Sequence, residues 1–234
     1  MLWSLLLACE SPNDGPPVGA EETGLERDGC WVPAALARPT TIEETFDLID
    51  ALPGGPEIDV PCLLEALERP LYVELTMDTL SAQPAASPRS PRIFLRNAGL
   101  TLSVVPEGAG RPLLEFAEHQ PSGLSIKAEL HFPIEQPLDR RVAFERVLSD
   151  QVTIGTLCGL CHWDETQVEE GVYASIPLRP TATTLVALEE LEDEWRSCER
   201  AVEPDRCAML DALFDHGPVV HAPFPSDYPT IYDQ

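Results

Sequence analysis

Apolar and polar positions along this chain change period twice, and each change marks a change of predicted element. Behind Thr41-Ile42-Glu43-Glu44, Phe46, Ile49 and Leu52 recur at helical spacing until Pro53-Gly54-Gly55-Pro56. A threonine followed three residues later by a glutamate can satisfy two of the free amides of a helix start, so a capped helix is predicted there. A second short helical turn follows Pro61, running from Cys62 to Leu67. From 71 to 132 the period falls to two. Residues 71–77, 92–96, 100–105, 113–116 and 124–132 alternate or run apolar, separated by Asn97-Ala98-Gly99, Glu107-Gly108-Ala109-Gly110 and Pro121-Ser122-Gly123. Short runs punctuated in this way predict an antiparallel sheet or sandwich. After Pro137 helical spacing returns at 140–148. A strand is expected over 172–176, then a helix opened by Thr184 that carries Leu185, Leu188, Leu191 and Trp195, and a last helix over 204–214.

The fold class that follows is α+β: an antiparallel β-sandwich-like domain with an N-terminal helical segment and a C-terminal α-rich region. The chain divides into an apolar leader at 1–9, a tether at 10–29, a helical and β-rich part at 30–137 and the α-rich part at 138–234. The tether is rich in Pro, Gly, Glu and Asp and has too little apolar surface to offset its ordering entropy. Twenty-four prolines against 14 glycines suit short elements and rigid turns better than a helical bundle. A net charge of −25, with Lys127 the only lysine, repels nucleic acid and favours cationic partners. Neither a Gly-x-Ser-x-Gly elbow, nor a Walker loop, nor a dinucleotide fingerprint is present. His119 and His131 stand alone in the sequence, as structural histidines usually do.

The seven cysteines carry the candidate chemistry. Leu6-Leu7-Ala8-Cys9 resembles the lipobox of bacterial lipoproteins. That resemblance implies acylation of Cys9 and a membrane anchor without a spanning helix, hence a place at the bacterial cell envelope. Cys30 and Cys62 flank the first helical segment, and Cys198 and Cys207 lie across the turn between the last two helices, so each pair could form a disulfide in an exported chain. This leaves Cys158 and Cys161. The stretch Cys158-Gly159-Leu160-Cys161-His162 resembles the haem-attachment site of c-type cytochromes, in which two thiols bind the vinyl groups and the histidine ligates iron. The resemblance implies a covalent haem c, with His162 and Met209 as axial ligands and His216 or His221 as alternatives to the methionine. It also implies a lipid-anchored electron carrier whose acidic surface meets a cationic redox partner. Two other readings stay open. One is a disulfide-stapled envelope module for binding or scaffolding, without haem. The other is a thiol-disulfide oxidoreductase, since Cys-Gly-x-Cys is also the spacing of thioredoxin-like sites.

Overall fold

The computed structural model describes residues 29–53, 57–149 and 155–233. Cys9 and the leader lie outside the described residues, as does the tether up to residue 28. Helix α1 (Ile42–Ala51) starts where the pattern predicts. Thr41 Oγ1 accepts from the Glu44 amide at 3.1 Å, while the Glu44 carboxylate reaches back to the Thr40 amide at 2.6 Å, one residue before the cap. Helix α2 (Val60–Ala66) is capped by Asp59, whose Oδ1 accepts from the Cys62 amide at 2.9 Å, with Pro61 in its first turn.

Five strands then follow one another as an antiparallel meander: β1 (Leu71–Thr76), β2 (Arg92–Asn97), β3 (Leu100–Val104), β4 (Leu113–His119) and β5 (Ser125–His131). Asn97 pairs with Leu100, so Ala98-Gly99 is a two-residue turn. Past the short helix α3 (Arg140–Glu145), strands β6 (Thr166–Glu169) and β7 (Val172–Ser175) form a hairpin that joins the sheet beside β5. At the opposite edge β1 is paired by β8 (Leu185–Val186), antiparallel, and by β9 (Val219–His221), parallel. Helices α4 (Leu188–Arg196) and α5 (Pro204–Phe214) lie in sequence between these two strands. Strands from both sides of residue 137 therefore share one nine-stranded sheet.

This corrects the sandwich: the described strands make one sheet, not two. The pleat sends alternate side chains to opposite faces. On one face Val73, Leu75, Ile93, Leu102, Leu114 and Leu130 join the apolar sides of α1, α2 and α5 in a single core. Phe46 of α1 meets Phe116 of β4 edge-on, with ring centroids 5.9 Å apart. Each large side chain buried there contributes about 1.5–3 kcal/mol. The opposite face is covered by irregular chain, and it carries charge. The helix expected from Thr184 begins four residues later, because Leu185 and Val186 pair with β1 instead.

Both expected disulfides are present. Cys30–Cys62 ties the chain before α1 to α2, and Cys198–Cys207 ties the end of α4 to α5. Bonds of this kind fit an oxidising compartment. No helix among the described residues is long and apolar enough to cross a membrane.

Candidate ligand cavity

The polar face of the sheet and the chain lying over it border a partly open cavity of about 420 Å³. Its floor follows from strand register. Arg96 of β2 stands beside Thr101 of β3, which stands beside Ala117 of β4, which stands beside Lys127 of β5. A cation thus ends each side of a row whose middle positions are small. Four adjacent strands span roughly 14 Å at the usual inter-strand spacing. A neighbouring row runs Phe94, Ser103, Glu115 and Glu129.

Three segments form the cover, and specific bonds hold each in place. The 3-10 turn at Leu157–Leu160 starts at Thr156, whose hydroxyl accepts from the Cys158 amide at 3.1 Å. Glu165 in turn accepts from the Thr156 amide at 2.8 Å. A second segment, 176–184, is attached where Thr76 Oγ1 donates to Thr184 Oγ1 at 2.8 Å and Arg179 Nε donates to the Tyr228 carbonyl at 2.7 Å. The tail supplies the third. Arg96 donates to the Pro223 carbonyl at 2.6 Å and stacks over the Phe224 ring, which packs edge-on against Phe94. Glu74 accepts from the Phe224 amide at 2.7 Å, and Tyr228 stacks on His119.

Electrostatically the cavity is unlike the rest of the molecule. Five cations line it, Arg92, Arg96, Lys127, Arg146 and Arg179, against the three carboxylates of Asp78, Glu115 and Glu129. Two of these cations are neutralised locally, Arg92 by Glu115 and Arg146 by Glu129. Lys127 is not. It is 5% exposed, and its Nζ donates to Ser125 Oγ at 2.6 Å. Burial pushes its amine down to about 8, against partial opposition from Cys158 and Glu115.

The structure places the Cys158 to His162 stretch in the wall of this cavity, and its geometry overturns the haem reading. His162 donates Nδ1–H to the Ile176 carbonyl at 2.8 Å, and burial lowers its ring to about 3. Met209 is buried in the core on the helix side of the sheet, so His162 and Met209 are on opposite faces and cannot ligate one iron. Neither alternative ligand joins the site: His216 lies 3.8 Å from Glu65, and His221 is exposed on β9. Among the described residues no three His, Cys, Asp or Glu side chains gather as a metal ion would require. The expected cationic redox partner rests on the haem and is not carried forward.

The thioredoxin-like reading fares no better. Burial raises the Cys158 thiol to about 11, the direction opposite to that of a reactive thiolate. The pair also sits on a 3-10 turn ahead of a hairpin rather than at a helix start behind a central strand. Of the residues singled out in the sequence, then, Cys158, Cys161 and His162 reach the cavity, while Met209 and the four disulfide cysteines belong to scaffold. Lys127, Ser125, Arg96 and His119 were not read as a site. The signal that could have pointed to one was a single lysine placed mid-strand on the polar side of the alternation. No family model matches this chain, and neither does any curated protein or solved structure.

Proposed function

We propose that the chain is a disulfide-stapled binding module of the cell envelope that encloses a small organic anion. The observation that carries this reading is a partly covered cavity lined by five cations and three carboxylates in a chain of net charge −25. Its volume falls within the range of small-molecule sites. Phe94, Phe224 and Tyr228 supply apolar and aromatic wall, and the floor row offers a cation at each end. A molecule with a carboxylate or sulfonate on a compact carbon frame matches both. Hydrogen bonds from Thr76, Arg179, Arg96 and Glu74 hold the cover in place, so the cavity is preorganised rather than assembled on binding. Attachment to the membrane through Cys9, which the lipobox resemblance implies, completes the proposal.

The test is a thermal-shift and calorimetric comparison of small carboxylates and sulfonates with their neutral amides. Anions are expected to bind and raise the melting temperature, and the amides to do neither. Ala117→Phe projects a ring into the cavity from the middle of the floor and is expected to abolish binding while the fold is retained. Equal response to anions and amides, or unchanged binding in the Ala117→Phe protein, would sink the proposal.

A further inference from the structure

We propose that Lys127 is a nucleophilic amine that captures the carbonyl carbon of a small aldehyde or ketone in the cavity as a reversible imine. The inference rests on the cavity being a ligand site, but not on the ligand being an anion. Lys127 stands in the middle of β5 with its side chain in the cavity lining. Among the described residues no carboxylate oxygen lies within 4.0 Å of its Nζ, and its hydrogen bond runs to a neutral hydroxyl, Ser125 Oγ. The other cavity cations serve as fasteners. Arg92 and Arg146 meet carboxylates, and Arg96 and Arg179 bind backbone carbonyls of the covering chain. Lys127 fastens nothing of the cover.

Residue type sharpens the point. Every other basic side chain of the 15 is arginine, whose guanidinium stays charged and has no available lone pair. Among these basic side chains only the Lys127 amine can act as a nucleophile. With its amine near 8, about a tenth is free base at neutral pH, against well under a thousandth for an ordinary lysine. Desolvation and the neutral thiol and imidazole of Cys158 and His162 beside it suit an uncharged amine.

The step balances without an oxidant or reductant. The ammonium first releases one proton, which later ends on the departing oxygen, and the lone pair so exposed forms the C–N bond while the carbonyl π pair moves to oxygen. The C–O bond then breaks, and of the three protons of the starting ammonium two leave with that oxygen as water and one stays on the imine nitrogen. Ser125 Oγ, 2.6 Å from Nζ, is placed to relay a proton between nitrogen and oxygen. The groups facing the amine are Ser125 on its own strand, Glu115 on β4, Arg92 on β2, and Cys158, His162 and Glu165 from the cover.

The experiment treats the full chain with glyoxylate, and separately with propionaldehyde, in the presence of cyanoborohydride, which reduces imines and spares carbonyls. Because the chain has one lysine, peptide mass spectrometry separates a Lys127 adduct from one on the α-amine without ambiguity. A Lys127 adduct is expected with both aldehydes, forming at neutral pH at least about tenfold faster than in the urea-denatured chain and with a pH midpoint near 8. Lys127→Arg keeps the charge and is expected to lose the adduct. Labelling of the α-amine alone, or a pH midpoint equal to that of the denatured chain, would overturn the imine. If glyoxylate still stabilises the fold in that case, the anion cavity stands by itself; if it does not, both readings fall.

Discussion

A lone ammonium in the wall of a cavity costs the fold stability, and Lys127 gives that cost a measurable pH dependence. Its folded pKa of about 8 lies below the unfolded value of about 10.5. Between those values the unfolded chain holds more protons than the folded one, so the Lys127 contribution to stability rises with pH through that window. Below about pH 8 the full penalty is present. Replacing Lys127 by Met, which keeps the length of the side chain and discards the charge, is therefore expected to raise unfolding free energy at neutral pH by about 1–3 kcal/mol. The gain should shrink as pH climbs toward 10. Cys158 works against this trend, because its thiol titrates later in the folded chain, near 11, and that difference lowers stability as pH rises above about 9. Urea titrations of Lys127→Met against Lys127, both in a Cys158→Ser background, isolate the amine. A neutral or destabilising effect at pH 7 would mean that the ammonium has found a partner the cavity geometry does not reveal.

At the scale of elements, the two disulfides staple different parts of the scaffold and should be unequal. Cys30–Cys62 spans 32 residues and Cys198–Cys207 spans nine. Loop-closure entropy grows slowly with span, so the paired Cys→Ala variants are expected to lose about 4 and about 3 kcal/mol respectively, read from denaturant unfolding. A larger loss at the shorter bridge would show that native contacts between α4 and α5, not chain entropy, dominate there. The buried Arg206 makes such contacts, binding Glu194, Glu203 and the Arg89 carbonyl. These elements were largely legible in the sequence. Thr41 and Pro204 mark helix starts, the alternation sets β1 to β5 to within a few residues, and the places of the cysteines allow both bridges without fixing their connectivity. What failed has physical causes. Strands of two and three residues, β8 and β9, carry no detectable period, so Thr184 read as a helix start. The site was hidden because Arg92, Arg96, Lys127 and Glu129 have the polar alternation of a solvent-facing surface, and the cover over them, rich in proline, has no pattern at all. Cys-x-x-Cys-His was legible as a string but not as chemistry, since nothing local says that a sheet stands between His162 and Met209.

The whole molecule sets two fields against each other. From a distance an anion meets a net charge of −25 and is repelled; inside the cavity it meets Arg96, Arg179 and Lys127, none of which has a carboxylate oxygen within 4.0 Å among the described residues. Salt does not weaken these fields equally. The outer one acts across solvent and is largely screened beyond about 10 Å at 0.1 M ionic strength, whereas charges within the cavity wall are screened much less. Association of a small carboxylate is therefore expected to quicken as salt rises from about 10 mM to about 150 mM, by roughly threefold to tenfold, with a smaller change in its dissociation rate. The neutral amide, if it binds at all, should show no such slope. Stopped-flow binding over a salt series reads both rates. The sign is the diagnostic: a protein that gathers anions with a basic rim binds them more slowly as salt increases, and this one is built the other way round. A rate that falls steadily with salt would place the ligand's first contact on surface cations and remove the buried ones from the recognition step.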